Sequence, residues 1–167
     1  MHTATAPPED ISALGHALRS NANAYHPFAH QPQIGPPDRQ FIEMLDAYRE
    51  SGGLMRLPEL ASLWHGHGLS GTRRLAHWIQ NRKVICFDWG STLWLPMVQF
   101  NRSTMTLLPG FEDILAELVT VFNDSDLAQW FSVPNTWLAG RSPADALASA
   151  APEVLLAARA ERHNSAQ

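Results

Sequence analysis

Cysteine is nearly absent from this chain: Cys86 is the only one. A lone cysteine excludes an internal disulfide and a multi-cysteine zinc site. Set beside Val84, Ile85 and Phe87, it reads as a small core residue. Charge is also scarce, at 17% of residues against 45% apolar. That balance excludes a polyampholyte disordered chain and permits a packed core. The net charge is -4, so no global basic field advertises nucleic acid. No apolar run approaches the ~18 residues that a membrane helix requires. Met1-His2-Thr3-Ala4 begins neither a basic nor an apolar leader segment, and a cytoplasmic protein is the expectation. Catalytic signatures are missing as well: there is no glycine-rich phosphate loop and no paired catalytic carboxylates. Nothing orients a histidine towards Cys86 or supplies an oxyanion hole. His65, His67 and His77 have no carboxylate or cysteine at a diagnostic ligand spacing. No catalytic residue, metal or cofactor is therefore expected.

What is present is uneven. The 167 residues suit one or two small domains. From Arg56 to Lys83, five bases (Arg56, Arg73, Arg74, Arg82 and Lys83) stand against one acid, Glu59. From Leu107 onward, three bases stand against eight acids. Such asymmetry fits a basic binding surface beside an acidic one. Residues 1–37 hold six of the twelve prolines and read as a tail, with a short helix over residues 11–21 placing Ile11, Leu14 and Leu18 on one face.

Ordered structure should begin at Asp38, a helix cap, followed by Phe41, Ile42, Leu45 and Tyr48 at helical spacing and stopped by Ser51-Gly52-Gly53. A second helix runs from Pro58 to Trp64. A third is capped by Ser70 or Thr72 and carries Leu75, Trp78 and Ile79. The period then changes to two. Val84-Ile85-Cys86-Phe87 reads as a strand, Asp88-Trp89-Gly90-Ser91 as a turn, and Thr92-Leu93-Trp94-Leu95 as the return strand. Pro96 ends that strand or puts it at an edge. Three helices and a hairpin are the order of a winged helix, here over residues 38–100. Arg73, Arg74, Arg82 and Lys83 fall on or just after its third helix. They are candidate contacts to duplex DNA or, alternatively, a solvated helix face.

After a connection over residues 97–110, Phe111, Ile114, Leu115, Leu118, Val119 and Phe122 resume the helical period. A short helix over residues 126–132 ends at Val133-Pro134, because the residue before proline avoids the helical region. Ser142 and Pro143 start another helix, and a last helix is expected over residues 152–162. The fold class is thus mainly α: a winged-helix-like domain with a β-hairpin, then a small helical domain over residues 106–163.

Trp130, Pro134, Asn135, Leu138, Gly140, Arg141, Pro143, Asp145 and Leu147 form a pattern that resembles the toxin-binding domain of the Xre/MbcA/ParS antitoxin family. The resemblance covers residues 108–163. It implies binding of a RES-domain toxin, an NAD-degrading enzyme, by covering its active site, and it implies self-association into a homo-oligomer. The positions put forward for toxin binding are Trp130, Asn135, Trp137, Leu138, Arg141, Leu155, Arg159 and Arg162. Trp130, Trp137 and Leu138 are interface anchors or core residues. Arg141 pairs with an acidic partner or with local carbonyls. The C-terminal helix and tail, around Leu155–Arg162, are expected to block the NAD cleft, so that deleting residues 152–167 should abolish neutralisation while leaving the fold largely intact. The alternative reading is a DNA-binding regulator of winged-helix type without a toxin partner.

Overall fold

The computed structural model describes residues 38–65 and 69–165. The tail over residues 1–37, with its helix, and His67 lie outside the described residues. The architecture is mainly helical with a small antiparallel sheet. Helix α1 (Asp38–Ala47) includes Asp38, which therefore lies inside the helix and not at the expected cap position, and it stops ahead of Ser51-Gly52-Gly53. Strand β1 (Leu54–Arg56) follows; at three residues it is too short to show an alternating pattern in sequence. Helix α2 (Leu57–His65) begins with Pro58 in its first turn.

Helix α3 (Leu69–Gln80) starts earlier than expected, so Ser70 and Thr72 lie inside it and neither is a cap. Packing decides this corner. Gly71 sits so close to α2 that a Cβ there would fall 2.5 Å from Cδ1 of Trp64, and that close approach sets the α2–α3 packing ahead of any capping preference.

Strands β2 (Phe87–Trp89) and β3 (Thr92–Pro96) form a hairpin. Asp88 and Trp89 pair with Leu93 and Thr92, so the expected four-residue turn tightens to Gly90-Ser91. Both have positive φ, 59° and 60°, the backbone of a two-residue type I′ turn. Val84, Ile85 and Cys86 are buried but outside any strand, contrary to expectation. The amide side chain of buried Gln99 takes the place of a partner strand: its Oε1 accepts from the Ile85 N–H at 2.8 Å and its Nε2 donates to the Ile85 carbonyl at 3.0 Å. The sheet order is β1-β3-β2. Pro96 closes β3, opposite Leu54, and β3 is the central strand, not an edge.

The expected plain connection holds more structure than the sequence suggested. A 3-10 turn (Met97–Gln99) leads into β4 (Phe100–Asn101), which pairs with β5 (Thr106–Leu107). Helix α4 (Phe111–Leu118) follows. Helix α5 (Asp124–Ser132) begins two residues before the expected start, because Asn123 caps it by accepting from the Asp126 N–H at 2.9 Å. A 3-10 turn (Thr136–Leu138), the short α6 (Pro143–Ala146) and α7 (Ala151–Ser165) complete the chain.

Two apolar clusters hold these elements together. The larger joins Phe41 and Met44 of α1, and Tyr48 in the turn after it, to Ile114, Leu118, Phe131, Val154 and Ala158. The smaller gathers Leu57, Trp64, Leu75, Cys86, Leu95, Met97 and Phe100. Each large side chain so buried contributes about 1.5–3 kcal/mol. Helix α1 thus packs on the C-terminal helices. Just after α1, the Tyr48 hydroxyl donates to the Ala128 carbonyl at 2.6 Å, and burial pushes the Tyr48 pKa well up.

Candidate interaction surfaces

The Pro134–Arg141 segment is a closed loop built by its own backbone. The N–H groups of Leu138 and Gly140 both donate to the Asn135 carbonyl, at 3.1 and 3.0 Å, and the Asn135 N–H donates to the Arg141 carbonyl at 3.0 Å. The Asn135 side chain accepts from the Trp137 N–H at 2.9 Å, an Asx-type turn that fixes the backbone locally. Ala139 then takes a left-handed conformation, φ 55°. Ser142 caps α6: its hydroxyl accepts from the Asp145 backbone N–H at 3.1 Å and donates to the Asp145 carboxylate at 2.7 Å.

This loop sorts the candidate anchors. Leu138 and Trp130 are buried in the larger cluster, while Trp137 is 66% exposed. Val133, just ahead of the loop, is exposed too. An exposed tryptophan on a backbone-locked turn is unusual, because a free indole would ordinarily be drawn into the core. Arg141 is exposed and reaches the Ser149 hydroxyl at a long 3.4 Å. Asn135 acts as the cap described.

Helix α7 is tied down on one side. Glu117 of α4, with its side chain mostly buried, meets Arg159 Nε at 3.1 Å and Arg162 Nη1 at 2.6 Å. Two guanidinium groups on one sheltered carboxylate fix the rotation of α7 on α4. Leu155 is partly buried against the same core, and Val154, Ala157 and Ala158 lie within it. Removing residues 152–167 would therefore strip core side chains, so the expectation that they are dispensable for folding is corrected. The outward side of α7 presents Leu156, 58% exposed, with Glu153 and His163 also exposed.

The four candidate DNA contacts divide in two. Arg73 and Arg74 are exposed on α3, with the Arg74 guanidinium 5.5 Å from the Trp78 ring. Arg82 instead clasps the α4–α5 corner: it donates to the carbonyls of Val119 and Phe122 at 2.9 and 2.8 Å and meets Asp124 Oδ1 at 2.9 Å. Lys83 Nζ pairs with Glu112 at 3.0 Å. Sequence position grouped the four residues, whereas the structure brings together only the first two.

Among the described residues, no group of three or more His, Cys, Asp or Glu is placed to hold a metal ion. No described helix is long and apolar enough to cross a membrane. One hollow of about 260 Å³ is lined by Leu108, Pro109, Leu147, Ala148, Ser149, Ala151 and Pro152 and contains no titratable side chain. No protein-family model matches the chain, and no curated protein and no solved structure matches it.

Proposed function

We propose that this protein is antitoxin-like and neutralises a RES-domain, NAD-degrading toxin by binding over its active site. The observation that carries the reading is Trp137, exposed at the tip of a turn that the backbone holds shut. A rigid aromatic anchor of this kind loses little entropy on binding and fits an apolar socket. Pro134, Asn135, Gly140, Arg141 and Pro143, the residues that carry the family resemblance, lie in or beside this one turn and the helix start that follows it. In this reading Trp137, Val133 and the outward side of α7 around Leu156 meet the toxin. Trp130 and Leu138 support the surface from below, and Arg159 and Arg162 hold α7 in place through Glu117. The protein acts without a cofactor, in the cytoplasm, and self-associates as the resemblance implies.

The element order α1-β1-α2-α3-β2-β3 and the sheet order β1-β3-β2 support reading residues 38–100 as a winged-helix-like unit ahead of the toxin-binding unit over residues 106–163. The neutralisation reading is tested by co-expressing the chain with a RES-domain enzyme and following cellular NAD. Wild-type chain should preserve NAD, and Trp137→Ala should fail to do so at equal protein level. NAD loss in the presence of wild-type chain, or full protection by Trp137→Ala, would count against it.

A further inference from the structure

We infer that a methionine-lined hollow beside β1, α2 and the β4–β5 turn is a docking site for the chain's own segment over residues 9–18. Met55 of β1, Leu63 of α2, Met97, Arg102 and Met105 line an open hollow of about 170 Å³. An apolar cavity of about 150 Å³ accepts a molecule the size of benzene, so this one has room for a branched aliphatic side chain. Met97 and Met105 are buried and form its floor, Met55 is half-buried, and Leu63 is 52% exposed. Methionine is unbranched, with three rotatable bonds, and adapts to whatever fills such a gap.

The charge at the hollow is Arg102, and the backbone fixes where it stands. It lies in the turn that joins β4 to β5. The Asn101 side chain accepts from the Ser103 and Thr104 N–H groups at 3.0 and 3.2 Å. The Met105 N–H donates to the Asn101 carbonyl at 2.8 Å, with Met105 left-handed at φ 51°. A Cβ on Gly52 would stand 3.2 Å from Met97 Cβ and 4.0 Å from Arg102 Cζ. The bare backbone of Gly52 thus leaves the guanidinium room to lie beside Met97. Arg102 is exposed and forms no ion pair among the described residues.

An adaptable apolar hollow with one unneutralised cation at its rim fits a short amphipathic segment that carries acid at one end. The first 37 residues hold such a segment. Ile11, Leu14 and Leu18 recur at offsets of three and seven, the spacing of one helical face. Glu9 and Asp10, the only acids ahead of Asp38, stand immediately before Ile11. Acids there also suit the start of a helix. Nineteen residues separate Leu18 from Asp38, a tether of up to about 60 Å. Helix α1 has ten residues and is about 15 Å long, and Gly52 lies shortly after its end, so the tether reaches the hollow with slack. Sharing one chain gives the segment a local concentration in the range of about 1 mM, so a small contact is enough to hold it.

The test is NMR on the full-length chain, labelled at the methyl groups of methionine, isoleucine and leucine. The methyls of Met55, Met97 and Met105 should show nuclear Overhauser contacts to Ile11, Leu14 or Leu18. Met44, in the larger cluster, should show none to them. Leu14→Asp should abolish these contacts and shift the three methionine signals, while an unmoved Met44 signal reports an intact fold. Arg102→Glu should weaken the contacts, and adding Glu9→Arg and Asp10→Arg to it should restore them. Absence of the contacts in the wild-type chain would overturn the inference. So would methionine signals indifferent to Leu14→Asp, or a charge exchange that restores nothing. Contacts seen only between chains, in a mixture of methionine-labelled and leucine-labelled protein, would overturn it too, because the occupant would then be a second copy.

Discussion

Around α4, α5 and α7 the basic side chains work inside the molecule. Arg159 and Arg162 converge on Glu117, Lys83 reaches Glu112, and Arg82 satisfies two carbonyls at the α4–α5 corner. On α3 the neighbouring Arg73 and Arg74 are left to solvent. The apolar side chains show the reverse contrast. Trp64, at the α2–α3 corner, is fully buried, whereas Trp137, at the far end of the chain, is held out in water. One region thus withholds an aromatic from its core, and the other withholds two cations from ion pairing. Residue type does not separate a structural side chain from an available one here. What separates them is whether a carbonyl, carboxylate or apolar neighbour lies within reach.

The comparison can be strained from both sides. The largest effect should come from emptying either core. Trp64→Ala and Phe131→Ala should each lower unfolding free energy by about 3–5 kcal/mol. Both should leave a single denaturant transition, because Arg82 and Lys83, which follow α3, tie the smaller cluster's helices to the α4–α5 corner and to Glu112 of α4. Separate transitions for tryptophan fluorescence and helical signal would show that the two regions unfold independently.

Replacing Arg82 comes next. Arg82→Met keeps much of the apolar stem and removes the donors to Val119 and Phe122. A loss of about 1–3 kcal/mol is expected, against a change within about 0.5 kcal/mol for Arg73→Met. Equal effects at the two positions would erase the distinction between engaged and free bases. The smallest effect belongs to Trp137→Ala: its stability should stay within about 0.5 kcal/mol of wild type. A large loss of stability would mean that the indole supports the fold and is not held for a partner.

Much of this arrangement was legible in the sequence. The helical spacing of Phe41, Leu45 and Tyr48 and of Phe111, Ile114 and Leu118 placed α1 and α4, and Ser142-Pro143 marked the start of α6. Elements whose partners are distant in sequence were not legible. Strand β1 exists because Leu54, Met55 and Arg56 pair with Pro96, Leu95 and Trp94, and no local pattern announces that. Val84-Ile85-Cys86 has strand composition, yet its place in the fold is set by a glutamine 14 residues away from Ile85. The start of α3 followed Gly71 packing on Trp64 and not the capping preference of Ser70 or Thr72. At the surface, the sequence pointed to the turn around Trp137 but not to which of its apolar residues faces water. It grouped Arg73, Arg74, Arg82 and Lys83 by nearness, although Arg82, at φ 50°, turns back to a corner some 40 residues later.

The most direct test of the account is a pull-down from native host cells with tagged full-length chain and, in parallel, its Trp137→Ala variant, both read by mass spectrometry. A RES-domain enzyme should be recovered with the wild-type chain and depleted with the variant, at equal bait level and equal thermal stability. Failure to recover such an enzyme, or equal recovery with both baits, would contradict the claim that this exposed tryptophan anchors a toxin.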